Sequence, residues 1–442
     1  MRRLALTALL SLVTAASHAA DWPTFMGDPA RTGAATAANA PGGFQLDWTY
    51  DLYAPVSASP VAAGGLLFVA AEDGNLHAID LASRKLRWLF HAEGGIASTP
   101  AIADGVIYFL SRDGIFHALD VKSGAPRWTF RTGGEARFSA HGMYGQPRDG
   151  VKRADPWDFY LSSPLVADGK VVFGSSDEHV YALDAKTGAM AWAYKTGGMV
   201  HASPTRAGSR VIVGAWDSAL YSIDLATGAL AWRQQTGAEQ KNSILLGIQA
   251  AVSVEGDTVY AGSRDGFLYA LDTAKGQLRW GHDVKGSWVP GTAAIGATQV
   301  FVPTSDAGVL AVLDKRSGKK LYDFPTKAWT FASPLPIGQS VVVATMDGQL
   351  HQFDAATGKL LWRFTTPERQ ADARGIIDAE GKFDGKRLYG TRSDELLSAL
   401  EHVKRLGAFI ASPLWMDGQL ITVDALGRLR AFRPATQPAT QP

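Results

Sequence analysis

Short apolar runs separated by turn residues recur along most of the chain. From Ser162 to Asp184 the sequence SSPLVADGKVVFGSSDEHVYALD contains three such runs, with small polar residues between them. Short runs rich in β-branched and aromatic residues predict β-strands, and the residues between them predict tight turns. The stretch that follows, which contains Trp192, predicts a fourth strand. The chain is therefore predicted to consist of units of four short strands.

A motif at the end of this unit occurs seven times. It begins with Asp, Gly usually stands four residues later, and an aromatic residue stands eight residues after the Asp. The seven copies begin at Asp80, Asp120, Asp184, Asp224, Asp272, Asp314 and Asp354. Asp and Thr side chains can bond to turn backbone and Gly tolerates a positive φ, so this DxxTG motif predicts the hairpin between strands three and four. Arg84 replaces the Gly in the first copy, which predicts a different turn there.

The aromatic residue of the motif returns at a regular interval. Trp48 and Trp88, Trp88 and Trp128, and Trp192 and Trp232 are each 40 residues apart. Four strands in about 40 residues predict a β-propeller blade. A buried Trp removes about 150 to 250 Å² from water, so one aromatic per blade is predicted to fasten neighbouring blades together. These inter-blade residues are Trp48, Trp88, Trp128, Trp192, Trp232, Trp280, Tyr322 and Trp362.

The two ends of the repeat region complement each other. The first three strands of a blade recur from Ser412 to Phe432 without a tryptophan strand after them, and the segment from Phe44 to Tyr50 resembles the missing fourth strand. The fold is therefore predicted to be all-β, an eight-bladed β-propeller of four-stranded blades closed by the N-terminal strand. Seven blades would leave Trp48 without a role and a strand edge unpaired.

The repeated sequence resembles a known family. The pattern AxDxxTGxxxW, which ALDAKTGAMAW illustrates, is similar to the pyrroloquinoline-quinone-type (PQQ-like) propeller repeat over nearly the whole mature chain. The resemblance implies one of two activities: a PQQ-dependent dehydrogenase, or a cofactor-free binding protein like the outer-membrane assembly factor BamB. Such a repeat is specific for the fold but not for an activity.

Three insertions interrupt the repeat, at about 132–161, 236–249 and 365–407. Each follows a tryptophan strand and precedes the next blade, so all three are expected on one face, named here the elaborated face, opposite the DxxTG hairpins. The third insertion predicts one amphipathic helix, capped by Ser393 and ended by Gly407, with an apolar side formed by Leu396, Leu397, Leu400 and Val403. Loops on a rigid scaffold commonly carry binding sites, so the elaborated face and the axial channel are the predicted site.

Several residues outside the repeat pattern are expected near that face. The candidate binding residues are Trp157, Asp158, His141, His201, Trp216, Asp217, Arg264, Asp265, Trp288 and Trp329. Trp157, Trp288 and Trp329 could stack on a cofactor or a peptide, or could only plug the channel, whereas Trp216 belongs with the turn residues considered next. The two turn Asp residues and Arg264 could bind a ligand, or could only serve turns and surface ion pairs. His77, His117 and His351 occupy a position that is Tyr in other blades, where packing is expected.

The ends and the composition of the chain predict the cellular compartment of the protein. Residues 1–20 have the two arginines, apolar stretch and small residues of a signal peptide, residues 21–433 form the propeller, and residues 434–442 are a Pro-rich tail expected to be disordered. No Cys is present, which excludes disulfides, Cys-ligated metals and a lipid-anchored N-terminal Cys. A periplasmic or secreted protein without a membrane span or lipid anchor is expected. Lys and Arg number 43 against 42 Asp and Glu, which argues against nucleic acid as a partner.

Two functions are compatible with the sequence. As an enzyme, the protein would hold PQQ with a calcium ion in the channel and oxidise an alcohol or sugar. The dehydrogenases that it resembles often place a vicinal disulfide against the cofactor, and the absence of Cys departs from that pattern. We therefore favour a non-enzymatic binding or scaffold module without cofactor or metal. Its expected partner is another envelope polypeptide, in protein assembly at the cell envelope.

Overall fold

Eight four-stranded antiparallel sheets surround a central axis. The computed structural model describes residues 21–35, 42–141, 150–237, 247–390 and 395–435. Seven sheets, blades one to seven, are continuous in sequence, with strands paired in chain order. Blade one consists of β2 (Val61–Ala63), β3 (Leu66–Ala70), β4 (Asn75–Asp80) and β5 (Lys85–His91), and blade two of β6 (Ala101–Ala103), β7 (Val106–Leu110), β8 (Ile115–Asp120) and β9 (Pro126–Arg131). Blade three consists of β12 (Leu165–Ala167), β13 (Lys170–Gly174), β14 (His179–Asp184) and β15 (Met190–Lys195), and blade four of β16 (Thr205–Ala207), β17 (Arg210–Gly214), β18 (Ala219–Asp224) and β19 (Leu230–Gln235).

The second half of the ring repeats this arrangement. Blade five consists of β20 (Ser253–Glu255), β21 (Thr258–Gly262), β22 (Phe267–Asp272) and β23 (Leu278–Asp283). Blade six consists of β24 (Ala294–Ile295), β25 (Gln299–Pro303), β26 (Val309–Asp314) and β27 (Lys320–Pro325). Blade seven consists of β28 (Leu335–Ile337), β29 (Ser340–Ala344), β30 (Gln349–Asp354) and β31 (Leu360–Thr365). Two short strands, β10 (Ser139–Ala140) and β11 (Arg153–Ala154), form a hairpin in the first insertion.

Blade eight combines both ends of the ring. It contains β32 (Leu414–Met416), β33 (Gln419–Val423) and β34 (Arg428–Pro434), and β1 (Phe44–Asp51) is its outer strand. The β1 strand pairs with β34 from Phe44 opposite Pro434 to Asp51 opposite Arg428. The prediction of eight blades closed by the N-terminal strand is confirmed.

The repeated motif lies where neighbouring blades meet. The Trp192 indole nitrogen donates to the Leu225 carbonyl oxygen in blade four, at 3.0 Å. Gly228 lies against the same indole, since a Cβ atom there would be 2.7 Å from Trp192 Cγ. The same contact of a motif Gly with the aromatic residue of the preceding blade recurs at Gly124, Gly188, Gly276, Gly318 and Gly358. Each motif therefore joins a hairpin to the blade before it.

The first copy of the motif differs, as its sequence predicts. Arg84 takes the place of Gly with a φ of 58°. Its guanidinium carbon lies 5.9 Å from the ring centroid of Trp48. A cation–π contact therefore replaces the Gly contact where blade eight meets blade one.

An N-terminal segment, residues 21–35, crosses the hairpin face of the ring. Its backbone bonds to the innermost strands of six blades, with partners at Ala62, Ile102, Arg206, Val254, Ile295 and Pro336. Arg31 is fully buried, and its guanidinium donates to the Pro164 carbonyl at 3.0 Å and to the Phe25 carbonyl at 2.7 Å. Burial lowers the pKa of Arg31 to about 10, which still leaves the group charged at neutral pH. This segment closes one end of the axial channel.

The third insertion is helical. It contains α1 (Pro367–Ala371), α2 (Gly385–Tyr389) and α3 (Glu395–Lys404). The predicted helix corresponds to α3, in which Leu400 and Val403 are buried; the proposed cap at Ser393 is outside the described residues. Two shorter helices were not predicted; Thr366 and Asp384 cap them. Among the described residues, every helix is too short or too polar to cross a membrane. The predicted signal peptide, most of the predicted tail and part of the second insertion lie outside the described residues.

Candidate functional site

The first insertion forms a cap over the channel mouth on the elaborated face. We define the cap as the described residues 132–141 and 150–161. Its backbone bonds back to the ring, where Leu161 N–H donates to the Ala97 carbonyl at 3.2 Å and Arg112 donates to the Phe159 carbonyl at 2.6 Å. The β10 and β11 hairpin projects from this base.

A buried ion pair joins the cap to blade five. Asp155 accepts from Arg264 at 2.6 Å, and neither side chain is exposed. The Arg264 guanidinium carbon lies 3.7 Å from the Trp288 ring centroid and 4.8 Å from that of Trp216. Three predicted site residues, Trp216, Arg264 and Trp288, thus meet in one cluster, where the pair is withdrawn from water.

A second polar network joins the cap to blades three and four. His201 Nδ1 lies 2.8 Å from Asp158 Oδ1, and His201 Nε2 lies 2.7 Å from Ser176 Oγ. Ser176 Oγ is also 2.8 Å from Glu135 Oε2. Burial opposes charge on the imidazole, but the adjacent Asp158 carboxylate outweighs it and raises the pKa of His201. Burial also raises the pKa of Glu135, against the hydrogen bonds from Ser175 and Ser176.

This network has the distances of a Ser, His and Asp triad but a different environment. In a hydrolase the serine oxygen must reach a substrate. Ser176 is buried and shares its hydroxyl with Glu135. The axial cavity is lined by His201 and not by Ser176. The arrangement is therefore a polar clamp that fixes the cap.

Aromatic side chains fill the channel mouth beside these clamps. The Trp157 and Trp329 rings meet edge to face at 4.9 Å, and Phe383 of the third insertion lies 4.5 Å from Trp329. Tyr160 OH donates to the Ile410 carbonyl at 2.9 Å. Trp157 and Trp329 are both buried. The cap and the helical insertion thus both pack on Trp329 at the channel mouth.

The remaining predicted site residues, His141, Asp217 and Asp265, lie in the cap and in turns of blades four and five. His141 is exposed at the edge of the cap. Asp217 and Asp265 accept from Tyr221 and Tyr269 in their own blades, the second at 2.6 Å. In blade two the position of these tyrosines is His117, which stacks on Phe109, and burial lowers the pKa of His117 to about 4. Asp217, Asp265 and His117 therefore contribute to the packing of turns and blades.

A ring of hydroxyl groups surrounds the axis below the cap. Seven blades carry Ser or Thr two residues before the innermost strand, and blade five carries Ala251. Each hydroxyl oxygen can accept from the backbone N–H of the same position in the preceding blade. Six such bonds of 2.8 to 3.1 Å join Ser59 to Thr99, Thr99 to Ser163, Ser163 to Ser203, Thr292 to Ser333, Ser333 to Ser412, and Ser412 to Ser59. We name this the hydroxyl ring.

The cavity inside the ring is small. Its volume is about 30 Å³, and Phe25 of the N-terminal segment and Tyr160 of the cap line it from opposite ends. Pockets for cofactors and drug-sized ligands have roughly 300 to 1,000 Å³. Within the described ranges, His, Cys, Asp and Glu form no group of three or more that could hold a metal ion. Two larger cavities, of about 260 and 390 Å³, lie at the outer parts of the ring near Asp306 and Tyr50.

Sequence reasoning found part of this site. Asp158, His201, Trp157 and Trp329 were candidates, but their partners Glu135, Ser176 and Asp155 were not. The pairing of Asp155 with Arg264 spans 109 residues of sequence. One signal was available, because the first insertion contains four acidic residues in a segment that also carries Trp157 and Phe159.

Comparisons with known proteins give two family matches. The profile of the family described as outer membrane protein assembly factor BamB matches residues 31–143, 156–288 and 265–402, which is most of the chain. The profile of the glucose/ethanol/alcohol dehydrogenase β-propeller domain matches residues 91–200. A search of curated proteins returns no match.

Solved structures share the fold at low sequence identity. BamB from Moraxella catarrhalis has a TM-score of 0.64 and 20% identity, over 88% of this chain and 99% of that chain. The quinohemoprotein alcohol dehydrogenase from Comamonas testosteroni has a TM-score of 0.69 and 16% identity, over 96% and 82%. The computationally designed Ika8 protein has a TM-score of 0.62 and 15% identity, over 89% and 100%. At these identities the likeness concerns the fold alone.

Proposed function

Because the chain belongs to the family of the outer membrane protein assembly factor BamB, we propose that it is a non-enzymatic binding or scaffold propeller of the cell envelope. It presents its elaborated face to another envelope polypeptide. After removal of a signal peptide it works in the periplasm or outside the cell, without lipid anchor or cofactor. The alternative is a PQQ- and calcium-dependent dehydrogenase.

Closure of the axial channel at both ends carries this proposal. The N-terminal segment closes the hairpin face, and the cap closes the other face through the Asp155 to Arg264 and Asp158 to His201 pairs. Removing one partner of a buried ion pair such as Asp155 and Arg264 costs about 3 to 5 kcal/mol. A substrate or cofactor that entered the channel would have to displace these clamps.

The channel residues do not fit PQQ with calcium. The cavity of about 30 Å³ is roughly a tenth of the volume that a cofactor of this size needs. The groups that line it are hydroxyls, amides, aromatic rings and His201, with no carboxylate to hold calcium. This chemistry favours the binding function over the dehydrogenase.

The cap offers the partner a charged surface. Its described carboxylates, Glu135, Asp155 and Asp158, all bond to buried groups inside the clamps. Arg137 and Lys152 are exposed on the outside. The cap surface is therefore positive although the chain is near neutral. A partner with an acidic surface fits this arrangement best.

A cofactor titration tests the enzymatic alternative. Purified mature protein is titrated with PQQ and calcium while thermal stability and dye-linked oxidation of alcohols and sugars are followed. We expect no shift of Tm and no oxidation. Stabilisation that saturates with PQQ, together with oxidation, would establish the dehydrogenase instead.

Site-directed photocrosslinking tests the binding surface. A photoreactive residue at Lys152 on the cap is compared with one at Lys186, an exposed residue of a hairpin on the opposite face. We expect a discrete adduct with an envelope protein from Lys152 and none from Lys186. Equal adducts from both positions, or adducts from Lys186 alone, would contradict the proposed surface.

A further inference from the structure

Blade five interrupts the hydroxyl ring. It carries Ala251 where the other seven blades carry Ser or Thr. A methyl group cannot accept a hydrogen bond, so the Ser203 N–H has no hydroxyl at residue 251 to bond to. The six bonds of the ring leave open the steps from blade four to five and from blade five to six. The hydroxyl ring therefore has one gap, centred on Ala251.

Two buried polar side chains beside this gap have no hydrogen-bond partner among the described residues. Gln249 is 4% exposed, and both its amide oxygen and its amide nitrogen are without a partner. Thr292 is 1% exposed, and its hydroxyl oxygen is likewise without one. A buried polar group left in this state costs about 1 to 3 kcal/mol. Both side chains line the axial cavity, so a molecule in that cavity can supply the missing partner.

The size and lining of the cavity identify that molecule. A bound water needs about 10 to 15 Å³ of such space and two to four polar partners. The cavity of about 30 Å³ has room for roughly two water molecules and for nothing as large as a sugar or a cofactor. An apolar gas molecule in the cavity would not satisfy the Gln249 amide, because it neither donates nor accepts hydrogen bonds.

We propose that the axial cavity is a binding site for a pair of ordered water molecules that occupy the gap of the hydroxyl ring at blade five. One water takes the place of the missing hydroxyl at residue 251. The second bridges the Gln249 amide and the Thr292 hydroxyl. The step from blade four to blade five is then closed by water, and the buried polar groups of Gln249 and Thr292 have a partner.

A high-resolution crystal structure of the mature protein tests this site directly. Ordered density within hydrogen-bond distance of both the Gln249 amide and the Thr292 hydroxyl is the expected result. A dry cavity would overturn the proposal, as would a Gln249 amide turned onto a protein group.

The variant Ala251→Ser provides an independent test, with Ala250→Ser as its matched control. Both residues line the cavity, but only residue 251 occupies the ring position. We expect Ala251→Ser to release one water and to raise Tm by about 1 to 3 °C, because the serine hydroxyl takes over its hydrogen bond. Ala250→Ser is expected not to raise Tm. Retention of both waters in Ala251→Ser, or an equal rise of Tm in the control, would overturn the proposal.

Discussion

Tyr322 in blade six donates a hydrogen bond of 2.6 Å to the carbonyl oxygen of Ala355 in blade seven. It occupies the place that tryptophan holds in the other motifs, and Trp192 makes the equivalent bond to Leu225. A phenol and an indole thus perform the same task, which is to donate to the first residue of the next hairpin. The recurring requirement is an aromatic ring with a polar hydrogen at its edge.

This relationship predicts the effect of removing one hydroxyl. Tyr322→Phe is expected to lower the free energy of unfolding by about 1 kcal/mol, since the Ala355 carbonyl loses its donor while the ring still packs. Tyr322→Trp restores the donor and is expected to cost less. Chemical denaturation of the three proteins measures both changes. A Phe variant as stable as the unsubstituted protein would show that packing alone matters.

The glycine of the motif gives a second prediction. Gly228 has a φ of 76°, and a methyl group there would lie 2.7 Å from Trp192. Gly208 has a similar φ of 62° with open space around it. Gly208→Ala is therefore expected to cost about 1 kcal/mol for the backbone alone, and Gly228→Ala about 2 kcal/mol or more because the blades must also separate. Equal losses in thermal unfolding would refute the role of the indole contact.

The clamp between Arg264 and Asp155 predicts strong coupling. Arg264→Met leaves the Asp155 carboxylate buried without its cation, so a loss of about 3 to 5 kcal/mol is expected. Asp155→Asn should cost a similar amount, and the double variant less than the sum of the two. A double-mutant cycle on unfolding free energies measures this coupling. Additive losses would mean that the two side chains act independently.

The pKa of His201 predicts how stability depends on pH. Burial alone would lower this pKa, but Asp158 raises it above its ordinary value of 6.5. The folded state therefore binds the proton more tightly than the unfolded chain. The contribution of this group is fully present below about pH 6.5 and is lost as pH rises through the raised pKa. The charges of Glu135 and Arg112 act on the same imidazole, and Ser176 shares a hydrogen bond with it.

A variant isolates this contribution from other titrating groups. His201→Gln should remove the part of the stability loss that the unsubstituted protein shows as the pH rises above about 6.5. His141→Gln, at an exposed position of the cap, serves as the control and should leave the profile unchanged. Urea unfolding at several pH values measures both. Parallel profiles for the His201 variant and the unsubstituted protein would contradict the assignment.

The blades could be predicted from sequence because their determinants are local and repeated. The Asp, Gly and aromatic residues of a motif lie within nine residues. Trp48 lies 40 residues before Trp88, which is the interval of the repeat, and so indicates that the N-terminal strand completes a blade. The helix α3 was visible for the same reason, through the spacing of Leu400 and Val403. Each of these features is a property of a short stretch of chain.

The clamps of the cap could not be predicted in the same way. Asp155 and Arg264 meet only because the cap and blade five lie on one ring, and nothing in either neighbourhood signals the other. The N-terminal segment has no repeat at all, although its backbone bonds to six blades. The burial of Arg31 depends on carbonyl groups of residues that precede blades three and four. Such contacts exist only once the ring has closed.

The pairing of β1 with β34 sets the order of events when the protein is made. Among the described strands, the partner of the first strand is the last one, so blades one to seven can each form from neighbouring sequence but the circle cannot close without β34. Until β34 arrives, the edge of β1 and the open sides of blades one and seven stay exposed to other chains. A helper that shields strand edges would matter most in that interval, and a chain cut short before Arg428 would never leave it.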